Sequence, residues 1–175
     1  MVSSISKGRR IFIRDNRFLD SASSYDKSKV KLILLNQPIS KYAIVNLYSK
    51  TSMVVCADGG SNRLYDVFSN ARDRMKYKPH AIVGDLDSLR PDVRAFYEGA
   101  GTKVIKVDNQ MNTDFEKSIL YILEQQKSEN SNAEEVMQSN GEIEVQTKNK
   151  VIAYGAFGGR IDQALSSIHI IAKFN

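Results

Sequence analysis

The sequence predicts an α/β fold, a mostly parallel sheet with helices on both faces. Two observations predict it. Short, near-continuous apolar runs such as Val30 to Leu35 and Met53 to Ala57 have the character of strands buried on both faces. Segments with the 3–4 residue spacing of amphipathic helices lie between them. Strands that alternate with helices imply a largely parallel sheet covered on both sides.

Residues 1–28 read as an N-terminal extension, with a short strand at Arg10 to Arg14 and a flexible link at Ser21 to Ser28. Residues 29–175 form one domain. After the first strand, Ser40 caps a helix that turns Ile44, Leu47 and Tyr48 inward. The second strand, Met53 to Ala57, leads into a short helix with Leu64, Val67 and Phe68 inward. Ala81 to Val83 is the third strand. Pro91 sits in the first turn of the next helix, where a missing N–H costs little, and Gly99 and Gly101 end it. Val104 to Val107 is the fourth strand. Thr113 to about Gln126 is the clearest helix, with Phe115, Ile119, Ile122 and Leu123 on one face and Thr113-x-x-Glu116 as a capping box. Residues 127–149, rich in Ser, Asn, Glu and Gln, read as a polar surface insertion with a weak strand at Ile143 to Val145. Val151 to Tyr154 is the fifth strand, followed by a glycine-rich turn. Ile161, Leu165, Ile168 and Ile171 mark the inward face of a last helix.

Composition narrows the function classes. No apolar run approaches the ~20 residues that span a bilayer, so no membrane partner is expected. One cysteine, Cys56, excludes an internal disulfide and suits a reducing, cytoplasmic setting. Two histidines make a histidine-based metal site a poor fit. The net charge of +5 is concentrated, since residues 1–31 hold eight Lys and Arg against three Asp, a surplus of five. The rest of the chain therefore balances to zero, which argues against a nucleic-acid-binding face.

The chemistry-bearing residues cluster at strand ends, where parallel sheets bind ligands. Asp58, Asp85, Asp87, Asp114 and Asp162 all fall just after a strand or at the start of the next helix. Crowded on one rim, such acids repel one another. A hard divalent cation resolves this, and Mg²⁺ prefers carboxylate oxygen and bridges to phosphates. Asp85 and Asp87, two apart in Gly84-Asp85-Leu86-Asp87-Ser88, can grip one cation or an adjacent pair; the same pattern also makes an ordinary turn. Asp114 equally suits a helix start. Asp58-Gly59-Gly60-Ser61-Asn62 pairs an acid with two residues lacking Cβ, which permits close backbone approach to a phosphate. Gly158-Gly159-Arg160-Ile161-Asp162 repeats that logic with a cation; a surface Arg160–Asp162 ion pair is the alternative. A Walker A sequence, a kinase-type glycine loop and a dinucleotide fingerprint are all missing.

Taken together, four ordered blocks resemble the thiamin pyrophosphokinase family, particularly its eukaryotic branch. They are Cys56 to Asp66, Ile82 to Ser88, Gln110 with Asn112 to Lys117, and Gly158 to Gln163. The resemblance covers residues ~30–175 and implies a Rossmann-like three-layer catalytic domain, here the N-terminal half without the family's C-terminal β-sandwich. It implies transfer of the βγ-pyrophosphoryl group of ATP to thiamin, giving thiamin diphosphate and AMP. By position, Asp85, Asp87 and Asp114 would hold Mg²⁺ on the triphosphate, with Asp58 in support. Gln110 would lie near substrate, and Arg160 and Asp162 would complete the phosphate end. Gly59, Gly60, Asn62, Ser88, Thr113 and Gly159 would line the nucleotide site. A homodimer is implied for the full-length protein. The sequence departs from the family at Asn109 and Met111, where an acid often flanks the glutamine. Two other readings remain: a nucleotide-binding domain without catalysis, and a metal-dependent phosphohydrolase using Asp85 and Asp87.

Overall fold

Five parallel strands in the order β4-β3-β2-β1-β5 form the centre of the computed structural model, which describes residues 26–131 and 150–174. They are β1 (Val30–Leu34), β2 (Met53–Ala57), β3 (Ala81–Gly84), β4 (Lys103–Lys106) and β5 (Lys150–Tyr154). Six α-helices cover them: α1 (Lys41–Lys50), α2 (Gly60–Val67), α3 (Ala71–Lys76), α4 (Pro91–Gly99), α5 (Asp114–Ser131) and α6 (Ile161–Lys173).

The apolar runs are continuous because alternate residues serve two cores. Leu32, Leu34, Val54, Cys56 and Ile82 face α1, α2 and α4, where Ile44, Leu64, Val93 and Tyr97 are buried. Ile33, Val55, Ala57, Ala81 and Val83 face the other way, onto Phe115, Ile119 and Ile122 of α5 and Ile170 of α6. Burial on both sides leaves a central parallel strand little choice but Val, Leu, Ile and Ala. The register places Leu34 beside Cys56 and Tyr154, and Ala57 beside Val83. Their carboxyl ends therefore form one rim. Cys56 itself is fully buried, and burial pushes its thiol far above the usual range.

Several expectations need correction. α5 runs on to Ser131, five residues into the segment read as an insertion; a polar composition does not stop a helix that lacks Gly and Pro. The fourth strand is Lys103–Lys106, one residue earlier than expected, and Leu123 is exposed. α3 was not foreseen, because Ala-Arg-Asp-Arg-Met-Lys carries no apolar period; Asn70 caps it by accepting the Asp73 N–H at 2.8 Å. In the extension, Asp26 caps a single 3-10 turn, Lys27–Lys29. Arg10 to Arg14 and Ile143 to Val145 lie outside the described residues.

The last helix shows the largest difference. Ile161, Leu165, Ile168 and Ile171 are exposed, and Ser167 and Ile170 are buried instead. The helix is apolar on more than one face, so spacing alone could not choose which face meets the sheet. Lys173 Nζ bonds Glu116 Oε1 at 2.6 Å and helps fix that choice. The capping box is thereby halved. Thr113 Oγ1 accepts the Glu116 N–H at 3.2 Å, while the Glu116 carboxylate bonds Lys173.

Candidate nucleotide and metal site

The rim gathers three acids from three connections. Asp58 follows β2, Asp85 follows β3, and Asp114 opens α5. One carboxylate oxygen from each lies within 4.8 Å of the others. Gly84 makes this possible: a Cβ there would stand 2.8 Å from Asp58 Cβ and 3.1 Å from Asp114 Oδ1. Asp58, 4% exposed, has φ +40°, an uncommon conformation for a residue with a side chain. Its Oδ2 accepts the Ser88 N–H at 3.1 Å, and its Oδ1 is buried without a partner. Burial raises the Asp58 carboxyl above the ordinary range, and the nearby Asp114 and Asp85 charges push the same way. A buried, partnerless carboxylate oxygen beside two further carboxylates fits a hard divalent cation.

Lys117 is the cation already in place. Its side chain is 3% exposed, and its Nζ lies 3.1 Å from Asp114 Oδ1 and 4.0 Å from Asp85 Oδ2. The sequence reading passed over it as a site residue. Its position three residues after Asp114 on a capped helix was the available signal.

Asp87 does not join the three-acid group. Leu86 has φ +67°, and the Asp87 N–H bonds Asp85 Oδ1 at 3.2 Å, so this segment turns rather than extends. Asp87 projects exposed from the rim. Asn62 bridges loops: its Nδ2 donates to the Ser88 carbonyl at 2.7 Å, and its Oδ1 accepts the Arg90 N–H at 3.1 Å. Gly60 lies under the rim, where a Cβ would meet the Leu34 carbonyl oxygen at 2.2 Å. Gln110 is exposed in the β4–α5 connection. Arg160 and Asp162 form an exposed bidentate pair, with Nε to Oδ1 at 3.1 Å and an Nη to Oδ2 at 2.6 Å. That pairing holds the Asp162 carboxyl below the ordinary range.

A cavity of about 410 Å³ opens between the connections that follow β1, β2 and β5. Asp58, Gly59, Ser88, Thr113, Asp114 and Asp162 line it, together with Asn36 and Gln37, which the sequence reading did not single out. β1 is where the strand order reverses direction, the place where open parallel sheets bind ligands. The same strand-end rule that flagged Asp58 would have found Asn36 and Gln37. His80 is not part of this rim: its Nδ1 accepts the Val54 N–H at 3.0 Å, and burial holds its pKa down.

Fold and rim together define a parallel α/β domain with an acid cluster beside a glycine-lined cavity. The profile of the thiamin pyrophosphokinase catalytic domain matches residues 44–175, and the chain belongs to that family. It is 32% identical over 151 residues to "Thiamine pyrophosphokinase 3" of Oryza sativa subsp. japonica, covering 82% of this chain and 51% of that protein. The solved thiamin pyrophosphokinase from Candida albicans superposes with a TM-score of 0.68 at 31% identity, over 90% of this chain and 55% of the other. The yeast thiamin pyrophosphokinase structure gives 0.74 at 27% identity, over 94% and 60%. This chain thus spans about half the length of the relatives it matches.

Proposed function

We propose that this chain is the ATP- and Mg²⁺-handling part of an ATP:thiamin pyrophosphotransferase. The observation that carries the reading is the partnerless buried Asp58 Oδ1 beside Asp85 and Asp114, where Asp58 and Asp114 line the cavity. In the reaction, the thiamin hydroxyl oxygen forms a bond to the β-phosphorus of ATP. The bond from that phosphorus to the α–β bridging oxygen breaks, and AMP leaves with the oxygen. The hydroxyl proton passes to a carboxylate.

Asp85 and Asp114 would hold Mg²⁺, with Asp58 at its buried side, and Asp87, outside that group, would join them only from the exposed end of the turn after β3; bound there, the ion would neutralise charge on the triphosphate. Asp58 and Asp114 are fixed by the Ser88 and Lys117 contacts, so the ligands need little reorganisation. Gly59 and Ser88 line the path to the phosphates, Gln110 approaches the acceptor, and Arg160 swings from Asp162 to phosphate oxygens. A cytoplasmic homodimer is the proposed state of the full-length protein, without nucleic acid as partner. Among the described residues no helix is long and apolar enough to cross a membrane.

The test is AMP formation from ATP and Mg²⁺ with and without thiamin, alongside Mg²⁺-dependent ATP binding. Thiamin-dependent AMP is the result expected of a pyrophosphotransferase. Asp85→Asn and Asp87→Asn should each weaken Mg²⁺-dependent ATP binding; unchanged affinity in both would remove the metal assignment. Thiamin-independent phosphate release would favour a phosphohydrolase.

A further inference from the structure

Gln37 lies three residues beyond β1 and lines the cavity shared by Asp58, Asp114 and Asp162. Its main chain is fixed: its N–H donates to the Leu35 carbonyl at 2.7 Å, and Pro38 follows. The turn after β5 is shaped around its side chain. Gly155 and Gly159 have φ +86° and +71°; a Cβ on the first would stand 2.9 Å from Gln37 Cβ, and one on the second 2.8 Å from Gln37 Nε2. Only glycine leaves that slot open in those conformations. Gln37 is half-buried, and its carboxamide makes no hydrogen bond to any described residue, so its donor and acceptor are open to the cavity.

A carboxamide offers a donor and an acceptor side by side in one plane. Phosphate oxygens only accept, and would leave Gln37 Oε1 facing like charge. An amino group beside a ring nitrogen is the complement; Asn and Gln pair in the same donor–acceptor manner with the amino group and N7 of adenine in DNA, and the amino group and neighbouring nitrogen of its six-membered ring offer an equivalent edge. The geometry points to Gln37 as a specificity-determining residue that reads the amino and ring-nitrogen edge of an aminopyrimidine ring. This rests on the reaction proposed above, both of whose substrates carry such an edge: the six-membered ring of adenine and the aminopyrimidine of thiamin. Adenine is the expected source, because the cavity that Gln37 lines also contains Asp58 and Asp114.

The test uses the whole chain, Gln37→Leu and Gln37→Glu, each checked for an unchanged unfolding midpoint. Calorimetry compares Mg·ATP with Mg·purine riboside triphosphate, which lacks only the 6-amino group. The parent should prefer ATP by about tenfold, the worth of one hydrogen bond. Gln37→Leu should bind both nucleotides alike, and Gln37→Glu, which keeps the acceptor, should retain the preference at lower affinity. An unchanged preference in Gln37→Leu with about tenfold weaker thiamin binding assigns the same edge to thiamin. An unchanged preference with no loss of thiamin affinity overturns the inference. A parent chain that binds no Mg·ATP removes the nucleotide reading, and this inference with it.

Discussion

Lys117 Nζ donates to Asp114 Oδ1 at 3.1 Å from a side chain that is 3% exposed. The ammonium offsets part of the repulsion among Asp58, Asp85 and Asp114. Lys117→Met should leave those carboxylates uncompensated and cost about 1–3 kcal/mol in chelator-treated protein. Mg²⁺ should recover more stability in the variant than in the parent. Thermal unfolding with EDTA and with Mg²⁺ measures both.

The acids are close because Gly84 has no side chain. Gly84→Ala should cost about 1–3 kcal/mol by overpacking. It should also weaken Mg²⁺-dependent ATP binding at least about tenfold by splaying Asp58 from Asp114. Gly99→Ala is the control: its added Cβ meets nothing within 4 Å, so both readouts should hold or improve slightly.

The seating of α6 predicts an asymmetry between two isoleucines. Ile170, 2% exposed, packs against the sheet, and its truncation to Ala should cost ~2–4 kcal/mol. Ile168, 52% exposed, should accept Ser within ~0.5 kcal/mol. Urea unfolding of the two variants separates this seating from the one that the apolar spacing suggested.

A pH dependence follows from Asp66. The two hydrogen bonds from Arg90, at 2.7 and 2.8 Å, hold its carboxyl below the ordinary range. A depressed carboxyl contributes stability that is fully present above the unfolded value, ~3.9, and is lost as pH falls through the lower folded value. The pair is solvent-exposed, so Asp66→Asn should cost no more than ~1 kcal/mol at pH 7. That difference should shrink to nothing at the acid end of a pH series of unfolding midpoints.

The parts legible in the sequence were those set by backbone burial. The two cores force continuous apolar strands, so β1 and β2 stood out, and parallel topology then placed Asp58, Asp85 and Asp114 on one rim. What could not be read was side-chain direction inside turns. The Asp85/Asp87 spacing suits either a shared cation or an ordinary turn, and the positive φ at Leu86 makes the turn. Glu116 looked committed to its own helix cap until Lys173, 57 residues away, came within reach. Gln37 was missed because an amide has no charge to draw attention, and its setting is made by glycines more than a hundred residues later in the chain.

α5 begins at the acid rim and runs antiparallel to the strands, so Ser131 and Lys150, which flank residues 132–149, both stand at the opposite edge of the sheet. The chemistry and this junction are thus insulated from each other by the full length of the strands. That makes the junction a natural graft point. A fluorescent reporter or an affinity handle inserted directly after Ser131 should leave nucleotide affinity untouched, whereas the same insertion between β5 and α6 should abolish it.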